Sequence, residues 1–151
     1  MEGMHFEDVN IGDKFLSMGR TIFETDIVNF LGLSRINEPL FNDREFYEKQ
    51  GILKGRLVPG PLTYVIAMGL FTNLGLIHGT VLAFLGMDEF RIPKPVFCGD
   101  TLTLELTVIS KRQTSKPKQG VVTFRLTTRN QRNEEVMHWN HTLMLAGRGA
   151  A

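Results

Sequence analysis

Between residues 34 and 42 the chain sets one carboxylate, Glu38, beside Pro39, with two amides, Asn37 and Asn42, close by. A carboxylate whose pKa is raised by its pocket serves as a general base, polarising water or taking an α-proton. A glutamate in a solvated loop does neither, and both readings of Glu38 stand. Asn37 and Asn42 can hold a water or a substrate amide, but neither moves a proton at neutral pH. Further on, Pro59-Gly60-Pro61 opens a run, residues 62–74, without a single charge. If that run is helical, the Gly60 amide is an unpaired donor at the end where the helix dipole favours a developing oxyanion. Glycine there also simply permits a tight turn. Tyr64, in the first turn, offers a phenol donor, although buried tyrosines commonly find partners without any catalytic role.

Other reactive side chains fall into less favourable settings. Residues 110–120 carry Lys111, Arg112, Lys116 and Lys118 and no acid. Such a loop can meet phosphates, or it can be the solvated tip of a hairpin. Asp43 precedes a short helical stretch and reads as a cap, with Glu45 spaced for a capping box from Asn42. His78 follows the charge-free run, at the end opposite Gly60. His138 and His141 fall on opposite faces of one strand, which is not metal-ligand spacing, so no metal site is expected. Cys98 is the sole cysteine, excluding an internal disulfide.

The elements that must position these groups follow from periodicity. The run from Leu62 is apolar on every face, through Leu62, Val65, Ile66, Met68, Leu70 and Phe71, so it predicts a buried helix with Pro61 in its first turn. It is too short to span a bilayer. Before it, a turn at Gly12-Asp13 and a short strand through residues 21–23 lead to an amphipathic helix over residues 26–33, with Thr25 as its cap. Pro39 bars a continuous helix across residues 34–42, and a second short helix covers residues 44–49. After Gly75 the period changes to two. Residues 81–91 are strand-like. Leu102, Leu104, Leu106 and Val108 alternate with polar neighbours, Val122, Phe124 and Leu126 repeat the pattern, and residues 134–145 supply a last strand. Long consecutive strands after one buried helix indicate an α+β domain with an antiparallel sheet, curled round the helix in the hot-dog manner. One sheet cannot cover such a helix on all sides, so at least a homodimer is expected.

The totals set limits. At 151 residues the chain fits one domain, and a formal net charge of +1 argues against a dedicated nucleic-acid binder. The acid-bearing first residues do not read as a secretory signal, and a cytoplasmic location is expected.

Several segments together resemble the MaoC-like hot-dog family, which includes (R)-specific enoyl-CoA hydratases. Phe6-Glu7-Asp8-Val9 with Gly12-Asp13 is similar to its opening. The helix start at Thr25-Asp26 and then Phe30-x-Gly32-Leu33-Ser34 are similar to its first helix. Pro39-Leu40 with Asp43 and Phe46 resembles its Asn-Pro-x-His-x-Asp segment. Gly55-Arg56-Leu57-Val58-Pro59-Gly60 is similar to the approach to its central helix, and Pro95-Val96-x-x-Gly99-Asp100-Thr101-Leu102 to the start of a sheet strand. The resemblance covers roughly the whole chain in one order, as a single domain over residues 1–151.

The resemblance implies an acyl-CoA hydratase or dehydratase, with coenzyme A present only as part of the substrate and no other cofactor. It implies that the Gly60 amide polarises the thioester carbonyl. The hydratases' Asp and His fall on Ile36 and Phe41, and their motif Asn on Glu38. The His and Glu of the fatty-acid-synthesis dehydratases fall on Gly51 and Val65. None of these replacements restores the familiar acid/base pairs. Two expectations follow. In one, the chain is a lyase-type enzyme with a reorganised site, Glu38 as base, Tyr64 assisting, and Ile36, Phe41, Asn37 and Asn42 lining the substrate pocket. In the other it binds acyl thioesters without catalysis, or is the inactive subunit of a hetero-oligomer, with Ile36 and Phe41 lining an apolar tunnel.

Overall fold

The computed structural model describes residues 2–50 and 55–149. After a 3-10 turn at Phe6–Asp8 come two short strands, β1 (Lys14–Leu16) and β2 (Arg20–Thr21). Three helices follow: α1 (Glu24–Ser34), α2 (Pro39–Asn42) and α3 (Arg44–Gln50). Then come the central helix α4 (Gly60–Asn73) and four long strands, β3 (Val81–Arg91), β4 (Thr101–Gln113), β5 (Gln119–Arg129) and β6 (Glu135–Ala146). All strand pairs are antiparallel in the order β1-β4-β5-β6-β3, with β2 on the same edge of β4 as β1.

Alternation builds the inner face of the sheet. Leu102, Leu104, Leu106 and Val108 of β4, Phe124 and Leu126 of β5, and Trp139, Leu143 and Leu145 of β6 are buried. They share one core with Leu62, Ile66, Ala67, Leu70 and Phe71 of α4. Phe71 and Trp139 are fully covered, and side chains of that size each contribute about 2–3 kcal/mol on burial. Register shifts between β3 and β6, around Ala83, Gly86 and Glu89, bend β3. One antiparallel sheet curled over one apolar helix is the hot-dog fold.

Several local expectations need correction. Helix α1 begins at Glu24, not Asp26, and Thr25 is not its cap. The Asp26 carboxylate instead reaches back to the Phe23 amide at 2.9 Å and takes Arg20 Nη2 at 2.7 Å. The strand expected at residues 21–23 sits at Arg20–Thr21. No helix runs continuously across residues 34–42, as expected, but residues 39–42 are helical, with Pro39 opening α2 because the first helical position needs no N–H. Asp43 caps α3 as expected, accepting the Phe46 amide at 3.0 Å, while the Asn42 side chain expected in a capping box turns to Ile36 and Asn37 instead. Helix α4 is not buried all round. Its Leu62–Ile66–Phe71 face is covered, while Val65 is 52% exposed, as are Leu82, Phe84 and Leu85 of β3 at about half their surface.

Candidate active site

Helix α1 ends with Arg35 in the left-handed region (φ 56°, ψ 25°), its amide donating to the Leu31 carbonyl at 2.9 Å. The chain then doubles back into α2. The Asn42 side-chain amide donates to the Ile36 carbonyl at 3.1 Å and to Asn37 Oδ1 at 3.3 Å, closing the loop on itself. Arg56 ties this loop to the rest. Its guanidinium donates to the Phe41 carbonyl, and its Nε lies 3.0 Å from Glu24 Oε1 on α1. Arg35, Ile36, Asn37, Asn42 and Arg56, with Val28 and Leu31 beneath, bound an open cavity of about 500 Å³.

A second concavity, of about 270 Å³, lies at the start of α4. Gly60, Pro61, Tyr64, Met87, Phe90 and Ile92 line it. Pro61 has no N–H, and the Thr63 amide is already bonded to the Pro59 carbonyl at 3.1 Å. Among the described residues no acceptor meets the Gly60 amide, so this donor is available at the positive end of the helix dipole. The Tyr64 ring packs edge-on against Trp139 and Phe90, with centroids 5.3 and 6.1 Å away. Desolvation pushes its phenol pKa above the usual value, so at neutral pH it is a proton-bearing donor and not a base.

The structure therefore brings Gly60 and Tyr64 together, and Ile36, Asn37 and Asn42 together, in two separate concavities. Glu38 joins neither. It stands exposed at the N-cap of α2, where its side chain makes no capping bond, so one protomer offers no pocket to tune it as a base. Ile36 and Phe41 are partly buried against the core. Of the pair, Ile36 lines the first cavity, whose walls carry two arginines and two asparagines. Val65 is exposed, and Gly51 lies outside the described residues.

Two of the four hairpin cations are committed elsewhere. Lys111 donates to the Val9 carbonyl at 2.6 Å and sits 4.6 Å over the Phe6 ring. Lys118 donates to the Gly149 carbonyl. Arg112 and Lys116 are exposed. Strand pairing puts this hairpin beside the start of β3, where Val81 pairs with Leu145 and Gln119 with Ala146. The Gly60 concavity lies toward the other end of β3, lined by Met87 and Phe90, about 20–30 Å from Val81 along the strand. The histidines hold structural positions. His141 is buried between Phe71 and Phe84, with Trp139 Nε1 donating to its Nδ1 at 3.3 Å, and His138 pairs with Glu135 on its own strand.

Neither Arg35 nor Arg56 carries a local sequence pattern that marks it as a site residue. Arg56 acts across 15 and 32 residues of chain, a reach that no local pattern reveals.

Residues 7–130 match the model of the family described as MaoC like domain. The chain belongs to that family. It is 37% identical over 116 residues to protein MaoC of Klebsiella aerogenes, an alignment covering 77% of this chain and 33% of that protein. The chain thus spans a third of the length of that relative. It is 32% identical over 146 residues to the (R)-specific enoyl-CoA hydratase of Rhodospirillum rubrum, covering 96% of this chain and 94% of that one. A solved structure titled monoamine oxidase regulatory protein, from Archaeoglobus fulgidus, superposes with a TM-score of 0.88 at 32% identity, covering 97% of both chains. Relatives that the chain matches are named as hydratases and dehydratases. No helix among the described residues is long and apolar enough to cross a membrane.

Proposed function

We propose that this MaoC-like chain binds an acyl-CoA thioester with its carbonyl oxygen on the Gly60 amide and acts as a hydratase/dehydratase. The observation that carries the reading is the unpaired Gly60 donor at the start of α4, opening into an apolar concavity. Hydration of an enoyl thioester puts a hydroxyl on C3 and a proton on C2, and negative charge grows on the thioester oxygen meanwhile. A fixed donor in a water-poor apolar site stabilises that charge without reorganising. Tyr64, one turn along, is placed to give a second donor or to hold the attacking water. The concavity itself holds no base, so proton transfer falls to a group reaching it from outside. Glu38 is one, if its loop closes, and a side chain of a second chain docked on the β3 edge is the other. Assembly through that edge, in a cytoplasmic homodimer, belongs to the same proposal, as does the absence of any cofactor other than the coenzyme A of the substrate.

A second reading is favoured by one observation. Ile36 and Phe41 pack against the core where the resemblance puts an acid/base pair, which suits a thioester-binding subunit without catalysis. Crotonyl-CoA hydration, followed by loss of the conjugated thioester absorbance, separates the two. The enzyme reading expects turnover in the wild type and a fall of about 10- to 100-fold in Tyr64→Phe. In Glu38→Gln, collapse would assign the base and unchanged turnover would leave it to a second chain. Saturable binding without turnover favours the second reading. Absence of binding contradicts both.

A further inference from the structure

The cavity beside α1 is separate from the concavity at Gly60 and carries a chemistry that thioester binding does not use. Two guanidinium groups and two amides line it, and no acid does. Glu24, the acid paired with Arg56, lines the adjoining concavity instead. Three of these four side chains have donors left over. Arg56 uses Nε on Glu24 and Nη1 on the Phe41 carbonyl, which leaves Nη2 without a partner among the described residues. Among those residues Arg35 makes no ion pair and no side-chain hydrogen bond. The Asn37 oxygen is taken by Asn42, so its NH2 group remains a donor.

The backbone supports the same reading. At φ 56° Arg35 fills the left-handed cap at the end of α1, where glycine is the usual occupant and a β-carbon is disfavoured. Backbone strain of that kind concentrates where a side chain is needed. Asn42 pins Asn37, and the Phe41 carbonyl pins Arg56, so two of the three donor groups are held before any ligand arrives.

Three donor groups around one space match an anion with three terminal oxygens. A carboxylate has two oxygens in one plane, whereas a phosphate monoester has three and a charge of about −1.5 to −2 at neutral pH. Guanidinium groups pair with it in bidentate fashion. Beneath the donors, Val28, Leu31 and Ile36 give the cavity an apolar floor.

We propose that Arg35, Asn37 and Arg56 form a binding site for a phosphate monoester of a compact apolar molecule, a ligand distinct from the thioester at Gly60. The phosphate takes the two guanidinium groups and the Asn37 amide, and the organic part lies on Val28, Leu31 and Ile36. This site does not depend on the thioester reading, and either can fail alone.

The test is calorimetric titration of wild type, Arg35→Gly and Arg35→Lys with phenyl phosphate, inorganic phosphate and benzoate at constant ionic strength. Wild type should bind phenyl phosphate saturably and at least about tenfold more tightly than benzoate, the worth of one charge-assisted hydrogen bond. Inorganic phosphate, which lacks the apolar body, should bind several-fold more weakly than phenyl phosphate. Glycine suits the left-handed cap better than arginine, so Arg35→Gly should melt no lower than wild type while losing phenyl phosphate affinity by at least about tenfold. Arg35→Lys should keep part of that affinity. Absence of saturable phenyl phosphate binding overturns the inference, as does equal affinity for benzoate or for inorganic phosphate. An Arg35→Gly protein that binds like wild type also overturns it, and so does one that melts well below wild type, which would make the arginine structural. Saturating butyryl-CoA should leave phenyl phosphate affinity unchanged. Competition between them overturns the separate ligand and gives the cavity to the phosphates of coenzyme A.

Discussion

Gly60 and Ile92 approach so closely that a β-carbon built on Gly60 would lie 2.8 Å from Ile92 Cδ1. Glycine at the start of α4 therefore does more than ease a turn, since its φ is not positive; it makes room for the wall of the concavity. Gly60→Ala should swing the exposed end of the Ile92 side chain aside, a shift costing under about 1 kcal/mol that narrows the site. In an Ile92→Ala background the same substitution should be nearly neutral. A double-mutant cycle by urea denaturation measures the coupling, and additive effects would mean that the two residues do not meet.

Asp100 is a buried carboxylate in the segment that most resembles the family, yet its bonds are structural. Oδ2 accepts the Phe97 amide at 2.9 Å and Oδ1 accepts Gln131 Nε2 at 2.7 Å, pinning the turn that feeds β4. Asp100→Ala leaves both donors unpaired and should cost about 2–4 kcal/mol, lowering the melting temperature with or without ligand. A loss of thioester affinity at unchanged stability would instead point to a role in binding.

His141 makes stability fall on the acid side. Burial among Phe71, Phe84 and Trp139 pulls its pKa from 6.5 down to about 4. Between those values the unfolded chain holds the proton and the folded chain does not, so stability rises with pH across that window and its full value holds above about 6.5. The contribution is up to about 3 kcal/mol. Urea midpoints at pH 7 and pH 5 should show the drop, and His141→Phe should shrink it. An unchanged slope in that variant would assign the pH dependence to the carboxylates.

The β3 edge should hold a second chain. Leu82, Phe84 and Leu85 are 51%, 53% and 48% exposed on a strand whose outer edge pairs with no strand among the described residues. Sedimentation should find a wild-type dimer and a monomeric Leu85→Lys that keeps its fold, since that side chain is not core. A wild-type monomer at micromolar concentration would contradict the arrangement.

The parts of this fold that could be read from sequence were those in which one physical signal dominated. The charge-free run gave α4, and the alternation at Leu102–Val108 gave β4, because burial of one face leaves a periodic trace. Caps were harder. Asp26 and Thr25 are adjacent, and only the folded chain lets Asp26 reach back to Phe23 while Arg20 neutralises it. The candidate site was legible at Gly60 and Tyr64, which share one helix and so meet by spacing alone. Arg56 was not legible as a site residue, because its partners Glu24 and Phe41 are distant in sequence. Nor was the exposure of Glu38, since the loop's shape is set by Asn42 folding it back onto Ile36 and Asn37.

The central claim is that the Gly60 amide receives a thioester carbonyl, and a ligand that lacks only that oxygen tests it most directly. Butyryl-CoA and its thioether counterpart S-butyl-CoA share every other group. The account predicts that the wild-type protein binds butyryl-CoA at least tenfold more tightly, a difference of about 1.4 kcal/mol and the size of one well-placed hydrogen bond. Equal affinities would contradict it, and would mean that the start of α4 is a wall of the concavity rather than the donor that reads the substrate.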